Sequence, residues 1–173
     1  MTPFARFLTI ALAASLSVTA ARSQETIKPG PEHEVLKKME GDWTLTMKVA
    51  GAEAKGKVAY KSEFGGLMVS GLLEGEMFGA KFTGKSMDSY DTAKKKYVSV
   101  WVDSMSGVPM MLEGTYDKEK KTMTLAGEGP GTDGKPTKYK SVTVMKDADS
   151  MDFSMYVGDG KEPGFTIVYK RKK

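Results

Sequence analysis

The segment DWTLTMKV, residues 42–49, decides the fold because its apolar and polar side chains alternate. Trp43, Leu45, Met47 and Val49 occupy every second position, and aspartate, threonine or lysine fills the positions between them. A period of two is the spacing at which side chains share one face of a β-strand. The segment therefore predicts a strand with one buried face and one solvated face.

Similar segments follow to the C-terminus at intervals of roughly 8 to 12 residues, separated by glycine and aspartate turn residues. They predict about ten strands, and no connection is long enough for repeated crossover helices, so the sheet must be antiparallel. A sequential meander favours an up-and-down β-barrel of the lipocalin or calycin type over a sandwich, since closure removes exposed sheet edges. We expect an all-β protein with one barrel domain over residues 42–173 and room inside for one small ligand.

Residues 24–41 are expected to form a lead-in and one short helix ahead of the barrel. Val35, Leu36 and Met39 have the spacing of a buried helical stripe. His33 lies in this peripheral element, where we expect it to be exposed.

Residues 1–23 have the layout of a cleavable signal peptide, with one arginine, an apolar run of about 15 residues and then small residues. An uncleaved membrane anchor is the alternative, but the run is shorter than the roughly 20 residues that span a bilayer. The chain has no cysteine, so its stability must come from packing without disulfides. We expect a secreted or periplasmic protein without stable membrane insertion.

The formal net charge of the chain is +4, and removing residues 1–23 with their two arginines lowers it to +2. So small an excess of positive charge gives little support for a nucleic-acid partner. We therefore expect no nucleic acid among the partners.

The segment GAKFTGKS, residues 79–86, fits the phosphate-binding pattern G-x-x-x-x-G-K-[ST]. That pattern binds phosphates only when a strand delivers the loop to the N-terminus of a helix. Here Ala80, Phe82 and Gly84 alternate with polar residues as in a strand, and the following MDSYDTAKKKY predicts a hairpin turn rather than a helix. We expect no ATP binding.

The longer segment GAKFTGKSMDSYDTAKKKYVSVWVDSMSG, residues 79–107, resembles the signature of domain-of-unknown-function family 1579. The matching positions are Gly79, Phe82, Gly84, Tyr90, Asp91, Lys94, Lys95, Lys96, Tyr97, Val98, Trp101, Asp103 and Ser104. Ser89 departs from the pattern, which usually has glycine before Tyr-Asp. The resemblance implies a calycin- or lipocalin-like antiparallel barrel and implies no activity, because the family has none assigned.

His33 is the only histidine, so a zinc site of several imidazoles or thiolates cannot form, and histidine-dependent nucleophilic catalysis is nearly excluded. Asp88, Asp103 and Glu113 could hold a hard cation or act as acid and base. The alternative, which we favour, places each of them on the solvated face of a strand. We expect no metal, no cofactor and no catalytic residue.

The strand YVSVWVDSM, residues 97–105, carries the most informative face. Its alternate residues Tyr97, Ser99, Trp101, Asp103 and Met105 would suit a partly polar cavity wall, and Phe82 and Tyr116 are added to this candidate ligand-binding set. The alternative points the valines of the same strand inward and leaves the polar face on the surface. Periodicity alone does not decide between them.

Methionine is abundant, with 13 residues in the chain. Thioether side chains adapt to irregular space, which suits a cavity for variable apolar molecules; ordinary core filling and Cu(I) binding are the alternatives. The first functional hypothesis is a non-enzymatic exported barrel that binds a small, mostly apolar ligand. The others are an isomerase or hydrolase that uses carboxylates and tyrosines in the barrel mouth, and an envelope or stress interaction protein without a ligand.

Overall fold

The structure is a computed structural model and describes residues 27–131 and 133–173. Within these residues the elements are α1 (His33–Lys37), β1 (Gly41–Val49), β2 (Ala52–Glu63), β3 (Met68–Met77), β4 (Ala80–Asp91), β5 (Lys96–Asp103), β6 (Met110–Asp117), β7 (Thr122–Pro130), β8 (Pro136–Asp147), β9 (Ser150–Val157) and β10 (Phe165–Arg171). No helix in this described part is both long and apolar enough to cross a bilayer. The signal peptide predicted over residues 1–23 lies outside the described residues.

The ten strands form one closed antiparallel barrel. Each strand pairs with the next one in the chain, and β10 returns to pair with β1. The closing register places Trp43 opposite Arg171 and Val49 opposite Phe165. The predicted fold class is thus confirmed, with the first strand beginning at Gly41.

The alternation in β1 matches the burial of its side chains. Trp43, Leu45 and Met47 are buried in the barrel interior, while Asp42 and Lys48 are exposed. The same alternation continues around the barrel, so most side chains of its inner face are apolar or aromatic. Burial of this face provides the main favourable contribution to folding.

Helix α1 covers one end of the barrel, which we call the closed end, and packs against β3 and β4. Val35 and Leu36 are buried as predicted, and Met39 packs partly against the core. The expectation that His33 would be exposed was wrong, since it is only 4% exposed. The helix turns His33 toward the barrel together with Leu36, and its Nδ1 accepts a hydrogen bond from the Gly30 N–H (3.0 Å).

The seam between β1 and β10 is fastened at the closed end by Arg171. Its guanidinium donates hydrogen bonds to the backbone carbonyls of Glu40, Lys38 and Ala148. The same group lies over the ring of Trp43, 4.1 Å from the ring centroid. These contacts tie the last strand to the segment between α1 and β1.

The segment 79–86 lies in the β3–β4 turn and in β4, as expected from its alternation. The hairpin turn predicted within MDSYDTAKKKY lies between Asp91, where β4 ends, and Lys96, where β5 begins. In that turn the Asp91 carboxylate accepts hydrogen bonds from the backbone N–H groups of Ala93 and Lys94, both at 2.9 Å. No helix follows Ser86 in the described chain, so this segment lacks the helix terminus that a phosphate-binding loop requires.

Candidate functional site

The interior of the barrel holds a cavity of about 650 Å³. Its wall is mainly apolar and rich in flexible thioether side chains. Nine methionines line it: Met39, Met47, Met77, Met105, Met110, Met123, Met145, Met151 and Met155. Such side chains can adjust to ligands of different shape.

The entrance lies at the end of the barrel opposite α1, where β5 is joined to β6. Met105 and Val108 in this connection line the cavity and are also 66% and 53% exposed. The Asp103 carboxylate fixes the loop, because its Oδ1 accepts hydrogen bonds from the Met105 and Ser106 N–H groups (both 2.9 Å). Its Oδ2 accepts a third from the Trp101 Nε1–H at 2.8 Å.

The polar face of β5 points inward, which decides between the two alternatives that the sequence left open. Ser99, Trp101 and Asp103 line the cavity together with Met105, whereas Val102 on the opposite face is partly exposed on the outside of the barrel. The ring of Phe82 on β4 also lines the cavity, and it stacks on the ring of Trp101 with centroids 6.4 Å apart.

Tyr97 and Tyr116 point inward as well, but they lie at the closed end and do not line the cavity. The Tyr97 ring packs edge to face on Tyr90 (5.0 Å) and Tyr116 (6.4 Å). Its hydroxyl donates to the Glu32 carbonyl at 3.1 Å, and its pKa is raised to about 12, chiefly by burial. The cavity therefore does not support including Tyr97 and Tyr116 in the candidate ligand-binding set. Periodicity predicts which face of the strand a side chain lies on, but not how far along the barrel axis it lies.

Asp88 forms the polar centre of the deep part of the cavity. The Ser86 hydroxyl donates to its Oδ2 at 2.9 Å, and Ser99 stands directly opposite on β5. Burial raises the pKa of the Asp88 carboxyl, an effect that hydrogen bonds from Ser99 and Ser86 partly offset. Its remaining exposed surface faces the cavity.

Two tyrosines from distant strands complete this centre. Tyr60 on β2 and Tyr169 on β10 both line the cavity. Their hydroxyls interact with each other through a hydrogen bond and with the Asp88 carboxylate electrostatically. Burial is the main cause that raises the pKa of each phenol; Tyr169 and Asp88 raise the pKa of Tyr60 further, whereas the hydrogen bond with Tyr60 partly offsets the rise at Tyr169. Their hydroxyls therefore remain protonated donors over the physiological range of pH.

Gly71 explains how Tyr60 reaches the centre. It lies on β3 between Tyr60 and Ser86 in the pairing register. A Cβ atom at this position would come within 2.5 Å of the Tyr60 ring and 2.7 Å of the Ser86 hydroxyl. The glycine therefore leaves the space in which the ring crosses β3.

The carboxylates and tyrosines considered for catalysis do not converge. Glu113 lies on the outside of the barrel, where Lys94 (2.9 Å) and Lys96 (2.6 Å) pair with it and hold its pKa at about 2. In the β4–β5 register Asp103 lies opposite Gly84, which is four residues from Asp88 along β4. Asp88 and Asp103 are therefore roughly 13 Å apart along the strand direction. The solvated-face interpretation is right for Glu113 and wrong for Asp88 and Asp103, which face the cavity.

A metal site has no support in the arrangement of these side chains. Among residues 27–131 and 133–173, no group of three or more histidine, aspartate or glutamate side chains is placed to hold an ion.

The residues that sequence reasoning missed are Tyr60 and Tyr169. Alternation places both on inner faces, but only the barrel register brings them to Asp88.

We expect Asp88→Asn to increase the free energy of unfolding of the empty protein at neutral pH. The raised pKa means that the ionised carboxyl is less favourable in the folded than in the unfolded chain. Below about pH 4 the group is protonated in both states, so the gain should vanish there. Urea unfolding of both proteins between about pH 3 and about pH 8 measures the difference.

Glu113→Gln provides a control of opposite sign. The pKa of Glu113 is lowered to about 2 by its two lysines, so its stabilising effect is present above the unfolded pKa and is lost as the pH falls. This variant should be less stable than the wild type at neutral pH, and the difference should decrease steadily as the pH falls toward about 2. A pH-independent change for Asp88→Asn would show that the Asp88 carboxylate carries no burial penalty.

Comparison with known proteins gives one family match. The profile of a family described as "Protein of unknown function (DUF1579)" matches residues 28–171, which confirms the resemblance seen in the sequence. No curated protein matches the chain significantly.

The solved structures to which the chain is similar include two designed β-barrels. A redesigned β-barrel is 13% identical with a TM-score of 0.45, covering 80% of this chain and 96% of that chain. A de novo designed fluorescence-activating β-barrel is 13% identical with a TM-score of 0.46, covering 79% and 95%. At this level of similarity neither structure carries information about a ligand.

Proposed function

The chain belongs to the DUF1579 family, to which no activity is assigned, and from this premise we propose that it binds one small, mostly apolar molecule inside its barrel. We further propose that it does so after export, as a secreted or periplasmic protein. The binding function needs no cofactor and no metal.

The cavity is the single observation that supports this proposal. Its volume of about 650 Å³ is within the range of roughly 300 to 1,000 Å³ typical of small-molecule sites. Protein interiors are normally packed to near-crystalline density, and unfilled apolar space lowers stability. A barrel of this size that keeps such a space open is better explained by a ligand than by core filling alone.

The wall of the cavity favours an apolar molecule with a small polar part. Methionine, leucine and aromatic side chains make up most of the surface, and one group of polar side chains, Tyr60, Ser86, Ser99 and Tyr169, surrounds Asp88. A few convergent polar groups in an apolar wall are what fix the orientation of a bound molecule. An interaction protein without a ligand, the third hypothesis, gives no reason for this interior.

The proposal of export is supported by residues 1–23, whose layout is that of a signal peptide. Mass spectrometry of protein recovered from outside the cytoplasm tests it, since cleavage gives a mature chain that begins at Gln24 or, with the alternative site after Ala20, at Ala21. A full-length chain retained in the cytoplasm would contradict export without affecting the cavity.

Filling the cavity should abolish binding of an apolar probe. Thr143 lines the cavity wall opposite Met123 and Phe153, so Thr143→Trp places an indole inside it. We expect this variant to bind N-phenyl-1-naphthylamine at least about tenfold more weakly than the wild type, because the added ring occupies the site. Fluorescence titration measures the affinity.

Val142→Trp is the matched control, since the neighbouring side chain is not part of the cavity wall. It should bind the probe like the wild type, and thermal unfolding verifies that both variants are folded. Equal affinity in the wild type, Thr143→Trp and Val142→Trp would place the probe elsewhere and refute the proposed function.

A further inference from the structure

We propose that the ligand is a lipophilic amine whose ammonium group pairs with the Asp88 carboxylate, with its apolar part directed toward the mouth of the barrel. This inference rests on the proposed function, because it specifies the class of molecule that the same cavity takes. Three features of the cavity carry it: the sign of its charge, the missing partner of Asp88, and the aromatic rings beside that residue.

The ionisable side chains of the cavity wall are of one sign. Asp88 and Asp103 are its two carboxylates, and the described lining residues include no lysine, arginine or histidine. A low-dielectric pocket whose only charges are negative favours a cation and disfavours a carboxylate ligand. A fatty acid anion would bring a third negative charge into this cavity, and no positive group of the described wall would receive it.

Asp88 differs from several carboxylates on the outside of the barrel, which have a cationic partner. Glu113 has two lysine partners, Asp152 has Lys146, and Asp149 has Arg171. Among the described residues, the groups around Asp88 are the hydroxyls of Ser86 and Ser99 and two tyrosines. No lysine or arginine in this part of the chain forms an ion pair with its carboxylate. A buried carboxylate without a counter-charge is costly, and an ammonium group would supply that charge.

The two tyrosines beside Asp88 also suit a cation. An ammonium group within about 6 Å of an aromatic ring is attracted to the ring face, more strongly when water is excluded. Tyr60 and Tyr169 both line this deep part of the cavity. Further toward the mouth, the stacked rings of Phe82 and Trp101 offer a surface on which the apolar part of the ligand can pack.

The depth of Asp88 favours an elongated molecule. Asp88 lies eight residues along β4 from Ala80 at the open end, which corresponds to roughly 26 Å of strand. The methionine-rich wall occupies the space between them. A ligand whose amine reaches Asp88 therefore places its apolar chain along this wall.

Three probes that share one chain test the inference: decylamine, 1-decanol and decanoate. Each is titrated into the wild-type protein carrying N-phenyl-1-naphthylamine, and its affinity is obtained from displacement of the dye at neutral pH. We expect decylamine to bind at least about tenfold more tightly than decanol, and decanoate to bind most weakly, as the sign of the cavity charge requires.

Asp88→Asn removes the charge and keeps the shape of the side chain. We expect the affinity for decylamine to fall by about 30-fold in this variant, as for the loss of one member of a buried charge pair. The affinity for decanol should change little. Glu74→Gln, which removes an exposed carboxylate that pairs with Lys57 on the outer surface, should leave all three affinities unchanged.

The outcomes separate this inference from the proposed function. If decanol or decanoate binds wild-type protein as tightly as decylamine, or if Asp88→Asn binds decylamine normally, the amine assignment is wrong and cavity binding stands. If none of the three displaces the dye and the dye itself does not bind, the proposed function fails. The comparison of probes on the wild type remains decisive even if Asp88→Asn does not fold.

Discussion

Trp43→Ala is expected to lower the free energy of unfolding by about 3–5 kcal/mol, the usual loss for a large aromatic side chain in a core. Trp43 is 1% exposed and is among the largest fully buried side chains of the described protein. Its Nε1–H donates to the Met39 carbonyl at 2.8 Å, and the Arg171 guanidinium lies over its ring. The substitution removes the contacts of this ring with the segment between α1 and β1 and with the end of β10 in one step.

Urea unfolding followed by circular dichroism measures this loss, with Trp43→Phe as the matched variant. Phenylalanine keeps an aromatic ring for Arg171 but loses the hydrogen bond to Met39, so its loss should be smaller, about 1–2 kcal/mol. A loss below about 1 kcal/mol for Trp43→Ala would mean that the closed end adds little to the stability of the barrel.

Gly114→Ala is expected to cost about 2–3 kcal/mol, because the added methyl group has no space. A Cβ at Gly114 would lie 2.0 Å from the Thr124 carbonyl oxygen and 2.9 Å from the Leu125 Cα. Both atoms belong to the backbone of β7, which is paired with β6 on one side and β8 on the other. The strands can relieve the contact only by moving apart at this register.

Gly30→Ala is the control, since its Cβ would approach a flexible group, the Glu32 carboxylate, at 3.1 Å. Its stability should remain within about 0.5 kcal/mol of the wild type. The midpoint of thermal unfolding gives a convenient comparison of the two variants. Equal midpoints would show that the β6–β7 ladder has more freedom at Gly114 than its geometry indicates.

The fold could be predicted because the two-residue period of strands is a local property of the sequence. Trp43, Leu45 and Met47 alternate with polar residues, and each is buried as that pattern requires. The turns were equally local, since the Asp91 and Asp117 carboxylates accept hydrogen bonds from the backbone two and three residues later. The burial of His33 could not be predicted from its sequence neighbours, because it depends on how α1 lies across the barrel.

The site could be predicted only in part, since faces are local but depth and register are not. Both faces of β5 contain apolar residues, so its inner side could be recognised only once its neighbouring strands were placed. Tyr97 and Tyr116 have the right face and the wrong depth. Tyr60, Asp88 and Tyr169 belong to three different strands, and no periodicity within one strand can show that they meet.

The pairing of β1 with β10 sets a limit on how the chain can fold. Trp43 faces Arg171 in this pair, so the ring of strands cannot be completed until β10 has been synthesised. Contacts between residues so distant in sequence close long loops and slow the folding of β-proteins. Until then β1 has an open edge that can pair with another chain, so a premature stop anywhere before β10 leaves a fragment prone to aggregate.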